Sequence, residues 1–500
     1  MSTAVIIPVP ARVHETHSGV VLLCGDRAYK VKKALRTDFL DFSTVALRED
    51  ACARELELNR RLAPDVYLGV AHLSDVGGGP AEPVLVMRRM PEDRRLSNLL
   101  TAGDEEPPVD LPALVSLLVR FHDRARRSSE IDREGSADAL RARWRSLLSP
   151  LREASGELVD LPMVERIDHR AMRYLDGRTS LLDNRINDGR IVDGHGDLLA
   201  EDIFDLPDGF RVLDCLDFDD RLRYVDRCDD ISFLAMDFDF LGHAELGDRL
   251  VADYLRAAGD PAPTSLRDHY IAYRATVRAK VDLIRLGQGE PAAGPRLRKH
   301  LSIAARRLER ATVRLTLIGG LPGTGKSTVA AELSEATGAV VFASDHVRKE
   351  LARVGALNEE VGRFGAGRYC AAGRARVYDE LLWRARVLLT SGVSVILDAS
   401  WIDPDNRRHA TQMADAVSAD LVSLHCVCPT DLAHQRIGHR RTHESDATSA
   451  IADAMAATAV PWPEAVTVDT TGPLADSVAV ALGAWHSGTH HTAGLELTAP

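Results

Sequence analysis

A chain of 500 residues is too long for one hydrophobic core and calls for two or more domains. Its 45% hydrophobic and 27% charged residues belong to the ordinary globular class, with aromatics at only 5%. A net charge of −12 argues against a general nucleic-acid binder, and no apolar run reaches the ~20 residues of a membrane span. The seven cysteines are scattered without a C-x-x-C pair or a matching His set, as expected of reduced thiols in a cytoplasmic protein. Met1 to Pro8 lacks the basic-then-apolar order of a signal peptide.

From Ala11 to about Met90 the pattern is mostly strands with one helix. Gly19 to Cys24 and Arg27 to Val31 read as strands joined by a tight hairpin turn at Gly25-Asp26. In Tyr29-Lys-Val-Lys-Lys33, strand alternation places Lys30 and Lys32 on one face and Lys33 on the other. Ala46 to Leu62 has helical spacing and carries Glu55, a carboxylate that could pair with a lysine of that strand. Pro83 to Met90 returns to strand. Leu111 to Ala311 is largely helical, broken by loop and strand residues from Ile191 to Leu216. Leu286 to Pro295 is rich in Gly and Pro, the clearest break in composition, and the basic helix Arg296 to Arg310 follows it.

Within the helical half, His195-Gly-Asp-Leu-Leu-Ala-Glu-Asp-Ile203 follows the strand-like Ile191-Val192. A second strand ends in carboxylates at Val212-Leu-Asp-Cys-Leu-Asp-Phe218. Asp197, an acid at Asp202 and a strand-end acid have the layout of a phosphate-transfer site. One carboxylate orients the acceptor proton, and the others hold a metal that bridges phosphates.

Val313-Arg-Leu-Thr-Leu-Ile-Gly-Gly-Leu-Pro-Gly-Thr-Gly-Lys-Ser-Thr328 is the most informative stretch. Gly320, Gly325, Lys326 and Ser327 fill the phosphate-loop pattern, between a buried strand and a helix from Ser327 to Ala336. The backbone of Gly320, Leu321, Pro322, Gly323, Thr324 and Gly325, running into Thr328, can turn its N–H groups around a triphosphate. The positive end of the helix strengthens that field. Lys326 can reach the β- and γ-phosphates, and the Ser327 hydroxyl can hold Mg²⁺.

Beyond it, strands at 313–318, 339–343, 393–398, 421–427 and 465–469 alternate with helices, which implies a parallel sheet with crossover helices. Asp345 and Arg348 lie one helical turn apart after the second strand, either facing the phosphate crevice or forming a helix cap and a solvated arginine. Asp398 ends an apolar strand where a carboxylate would hold Mg²⁺. Arg436 and Arg440 share one helix face, suited to a lid over transferring phosphate. His425, Cys426 and Cys428 alternate along a strand, which points to core packing. The tail from His486 is polar and small, and the expectation is that it frays with its histidines in solvent rather than on a metal.

The H-G-D run at His195, the D-x-x-D-F after it, and Asp226-Arg-Cys-Asp-Asp-Ile-Ser-Phe233 resemble the aminoglycoside-phosphotransferase and choline-kinase-like kinases. Together with the phosphate loop, and with the motifs E-T-H-S-G at Glu15, Y-K-V-K-K at Tyr29, F-L-D-F at Phe39 and V-R-A-K-V at Val277, residues 11–485 resemble a bacterial fusion of two parts. One is such a kinase domain; the other is a P-loop domain similar to zeta-toxin and polynucleotide-kinase families. The resemblance implies a two-lobed, protein-kinase-like domain over 1–300, a P-loop NTP-binding domain over 311–486, and a flexible tail over 487–500.

It further implies an ATP- and Mg²⁺-dependent phosphotransferase with a small hydroxylated or amino acceptor and no membrane or nucleic-acid partner. Asp197 would be the catalytic base, Lys30 the ATP lysine (Lys32 the alternative), with Asp202 and Asp217 on metal (Asp214 the alternative to Asp217). Asp345 would be the second base, with Arg348 steering substrate. Asp469-Thr-Thr-Gly-Pro473 would hold the adenine, and Ser445-Asp-Ala-Thr448 would close the lid. The sequence departs from the kinase pattern at Asp202, where Asn is usual, and at Leu199, where a polar residue is usual. It also lacks a Gly-rich small-lobe loop, Thr16-His-Ser-Gly19 being the only candidate. The alternative expectation is a nucleotide-binding regulator whose first domain is a pseudokinase.

Overall fold

The computed structural model describes residues 11–15, 19–36, 41–74, 77–102, 109–154, 156, 159–357, 371–439 and 448–488. The chain divides into two compact units. The first takes in residues 1–168, 182–262 and 267–308; the second takes in 169–181, 263–266 and 309–500.

The first unit opens with strands β1 (Arg12–Glu15), β2 (Gly19–Cys24), β3 (Arg27–Lys32), β4 (Tyr67–Leu73) and β5 (Glu82–Arg88). They form one antiparallel sheet in the order β1-β2-β3-β5-β4. The β2–β3 register runs from Gly19 opposite Lys32 to Cys24 opposite Arg27, so Gly25-Asp26 is the whole turn, with Gly25 at φ 62°. The helix Val45–Asn59 is capped by Thr44, whose hydroxyl accepts from Leu47 N, and packs on β4 and β5. Beneath lie Ala28, Ala63, Val66, Tyr67, Leu85 and Met87, joined by Phe204 and Leu206.

The rest of this unit is helical, with two small two-stranded sheets inserted. Strand β6 (Ile191–Asp193) pairs antiparallel with β9 (Tyr224–Asp226), and β7 (Ile203–Leu206) with β8 (Gly209–Val212). The pairing of β6 with β9 lets the fully buried helix start at Arg227–Phe233 stand directly behind the loop that follows β6. The break expected at Leu286 to Pro295 is the turn between the helices Thr264–Gly287 and Ala293–Ala311.

The second unit holds β10 (Arg314–Gly319), β11 (Val340–Ala343), β12 (Val395–Asp398), β13 (Asp420–Val427) and β14 (Val466–Asp469) in one parallel sheet, ordered β11-β12-β10-β13-β14. All six residues of β10 are buried, as a central strand covered on both faces demands. Ile318 and Ala343 both sit opposite Asp398, so β10, β11 and β12 end together at one edge of the sheet. The parallel-sheet fold expected from the strand spacing is the fold found. Among the described residues no helix is long and apolar enough to cross a membrane.

Candidate functional sites

The phosphate loop leaves β10 and enters the helix Lys326–Thr337, which Gly325 caps at φ 82°. Its glycines are needed sterically. A Cβ on Gly320, at φ 136°, would come within 2.4 Å of the Cys426 carbonyl oxygen. One on Gly323, at φ 85°, would come within 2.5 Å of the Ala433 carbonyl oxygen. The loop is thus held between β13 and the helix Thr430–Gly438. Lys326 Nζ donates to Leu321 O at 2.9 Å, curling back over the loop, and Ser327 Oγ donates to Asp398 Oδ2 at 2.6 Å.

These groups line a cleft of about 820 Å³ that also contains Asp345, Arg348, Tyr378 and Ser400. Asp345 and Arg348 form an ion pair across one turn of the helix Ser344–Arg353. That helix is capped at Ala343 without a side-chain bond, so Asp345 is not its cap. Tyr378 reaches from the helix Ala371–Thr390 to Ser400 Oγ at 3.1 Å, a polar contact on the cleft wall that spacing alone did not single out.

Arg436 reaches the end of β14. It donates to Thr470 O at 2.7 Å and Thr470 Oγ1 at 3.2 Å, while the Thr470 hydroxyl donates to Thr324 O at 2.8 Å. The end of β14 offers two acceptors close by, so Arg436 braces the phosphate loop through Thr470. Cys426 is fully buried in the sheet core, and the half-buried His425 lies beside the Trp462 ring. Arg440, residues 16–18 and 39–40, and 445–447 of the lid motif lie outside the described residues.

In the first unit, β3 presents Lys30 and Lys32 to the same partner, as alternation required. Lys30 Nζ donates to Glu55 Oε1 at 2.8 Å and approaches Asp214 Oδ1 at 3.3 Å. Lys32 Nζ forms an ion pair with Glu55 Oε2 at 2.7 Å and donates to Asp217 Oδ2 at 2.9 Å. Lys33 turns the other way, to Glu15. Burial alone would pull the Lys30 ammonium down, but Asp214 and Glu55 outweigh it and hold its pKa well above the ordinary lysine value. Burial likewise pushes the Glu55 carboxyl up, and Lys30 and Lys32 override it to leave the group below its usual range.

The His195–Asp197 loop is held from behind. Asp230 accepts from the backbone N–H of His195 at 2.7 Å and of Gly196 at 2.9 Å, and pairs with His122 Nε2 at 2.9 Å. Arg274 grips Asp229 in a two-bond fork and donates to Gly196 O at 3.1 Å. Arg61 donates to Asp193 O and Gly194 O at 2.9 and 2.8 Å, and Asp237 accepts from Ala200 N at 2.8 Å. Of these supports only Asp229 and Asp230 lay inside a recognisable motif. Arg61, Asp237 and Arg274 come from distant segments whose approach spacing cannot show.

Burial raises the Asp197 carboxyl to about 6, helped by the Asp214 charge and opposed by Arg278 and Arg274. Burial and the neighbouring Asp214, Glu201 and Asp197 push Asp202 well above its ordinary value. Asp214, drawn down chiefly by Lys30, is the strand-end acid felt by both Asp197 and Asp202; it meets Lys30 as Asp217 meets Lys32. Asp214 also has φ 59°, a left-handed backbone rare for a residue with a side chain. Among the described residues no three His, Cys, Asp or Glu side chains meet in metal-binding geometry.

The sheet topology, the glycine cradle and the cleft define a P-loop nucleotide-binding protein, joined in one chain to an antiparallel sheet and helical lobe with a buried lysine–glutamate pair. Residues 315–461 match the family described as AAA domain. Over 477 residues, 95% of either chain, the sequence is 48% identical to "Uncharacterized protein Rv2004c" of Mycobacterium tuberculosis, and equally to "Uncharacterized protein Mb2027c" of Mycobacterium bovis. The chain belongs to the family of these mycobacterial proteins.

Among solved structures, a choline/ethanolamine kinase family protein from Mesorhizobium loti is 16% identical, covering 60% of this chain and 91% of its own, with a TM-score of 0.37. A gluconokinase from Sinorhizobium meliloti is 19% identical, covering 35% of this chain and 92% of its own, with a TM-score of 0.27.

Proposed function

We propose that this protein is an ATP- and Mg²⁺-dependent phosphotransferase of the cytoplasm, acting on a small hydroxylated or amino metabolite. The main support is one cleft that gathers Lys326, Ser327, Asp398 and the Asp345–Arg348 pair at the ends of three adjacent parallel strands. Open α/β sheets bind ligands at that edge. A pure nucleotide sensor has no use for a paired acid and arginine facing the phosphate loop.

The loop amides and Lys326 hold the triphosphate, and Asp345 accepts the acceptor proton while Arg348 keeps the acid oriented. Ser327 and Asp398 offer two hard oxygen donors 2.6 Å apart, a set that fits Mg²⁺ completed by phosphate and water. When bound, Mg²⁺ neutralises charge developing on the phosphates. In the first unit Lys30 binds phosphate and Asp197 orients the acceptor. Asp202, with Asp214 or Asp217, would hold the cation there, each of the two strand-end acids already meeting one lysine.

A regulatory reading of the first unit has one observation in its favour. Asp202 stands among like charges where related kinases carry a neutral Asn, which raises its pKa and weakens it as a ready-made cation ligand. ATP turnover with Mg²⁺, screened against pooled metabolites in wild type, Asp197→Ala and Lys326→Ala, separates the two. Stimulation lost in one variant identifies the transferring half. Binding of ATP without any stimulated turnover leaves the regulator.

A further inference from the structure

Glu55 is shared by two lysines, and the sharing extends at both ends. Asp214, Lys30, Glu55, Lys32 and Asp217 form one unbroken chain of alternating charge, with contacts of 3.3, 2.8, 2.7 and 2.9 Å. The two lysines are not equivalent. The Lys32 side chain is 4% exposed and Glu55 1%, whereas Lys30 retains 17%. Lys32 also lies over the Phe42 ring, 5.2 Å from its centre. Of the two, Lys30 is the more accessible to a ligand.

We infer that Lys32 is a positioning residue, which links Glu55 to Asp217 and so aims Lys30 at a bound phosphate. The inference rests on the phosphotransferase reading of the first unit and assigns its two lysines different tasks. A glutamate held by one lysine would turn about its last torsion and keep that lysine's charge for itself. Here each Glu55 oxygen has its own ammonium, so the single negative charge is divided and Lys30 keeps attraction to spare for phosphate. Asp217 neutralises the remainder of Lys32 and anchors the loop after β8. That loop carries Asp214 three residues earlier, so the strand β3 and the acidic loop move as one piece.

The test uses the full chain carrying Lys326→Ala, which disables the phosphate loop, and a non-hydrolysable ATP analogue. Lys32→Met and Asp217→Asn are each expected to weaken analogue binding about 10- to 100-fold, the usual worth of a partner that orients a binding group. The double variant should be no weaker than the worse single one, because both break the same link. Lys32→Arg should recover part of the loss. Amide exchange across residues 213–219 should quicken in both single variants.

Unchanged affinity and unchanged exchange in Lys32→Met would overturn the inference. So would weakened binding in Lys32→Met with Asp217→Asn harmless and the loop undisturbed, which is the behaviour of a direct phosphate ligand. If the Lys326→Ala parent binds no analogue, the phosphotransferase reading of this unit fails. Exchange alone then decides the coupling: faster in both variants sustains it, and no change overturns it.

Discussion

Ser327 donates its hydroxyl to Asp398 at 2.6 Å, joining the first turn of the phosphate-loop helix to the end of the adjacent strand. Their sequence positions are remote, and only the β10–β12 pairing, with Ile318 opposite Asp398, brings them together. Ser327→Ala should leave ATP affinity in chelator unchanged and remove the strengthening that Mg²⁺ gives wild type, as measured by titration with and without the ion. Losing one partly exposed hydrogen bond should cost only about 1 kcal/mol of stability. A large fall in melting temperature would show that the pair is structural.

The glycine cradle separates backbone requirements from charge. Gly323→Ala must place its Cβ 2.5 Å from a carbonyl oxygen at a positive φ, which backbone atoms cannot evade. A destabilisation of about 1–3 kcal/mol is expected from the conformational strain alone, read as a lowered urea midpoint. Lys326→Ala loses one bond to Leu321 O and should keep its midpoint within about 1 kcal/mol of wild type. Both should lose nucleotide at the phosphate loop, so the pair of denaturation curves distinguishes a broken loop from a missing ammonium.

Glu55 offers the sharpest stability test in the first unit. It is almost fully buried between two ammoniums, and Glu55→Gln leaves both lysines short of their shared counter-charge. Breaking a buried ion cluster by removing one member costs about 3–5 kcal/mol, because the charges left behind are already desolvated. Lys30 and Lys32 each retain an aspartate, so the lower end of that range is expected in chemical denaturation.

How far this arrangement was legible beforehand depends on chain distance. The phosphate loop was readable because one contiguous stretch specifies strand, turn and helix start. Lys30, Lys32 and Glu55 were readable because strand and helix periodicity fixes which face each occupies. What spacing could not give was the choice among carboxylates. Asp214 and Asp217 are three residues apart in an irregular loop, and only the fold shows Lys30 reaching one and Lys32 the other. The contact of Arg436 was illegible for a similar reason: Thr470, which takes its hydrogen bonds, follows a strand more than thirty residues later.

Asp197 should reveal itself through pH without any knowledge of the acceptor. Burial raises its carboxyl from 3.8 to about 6, so between those values the folded protein binds a proton that the unfolded chain has released. Stability from this group is therefore full below pH ~4 and is lost as pH rises through ~6. At pH 7.5 Asp197 is ionised at a cost, which Asp197→Asn removes. The variant is expected to be more stable than wild type there by about 1–2 kcal/mol, allowing for the partial exposure of the side chain. The advantage should vanish at pH 4, and melting curves at both values give the comparison. Transfer by this unit needs the ionised acid to take the acceptor proton, so its rate should rise with pH through ~6 and be absent in Asp197→Asn. A variant that loses stability at pH 7.5 would mean that Asp197 is held by compensating contacts, and the case for it as a poised base would fall with that result.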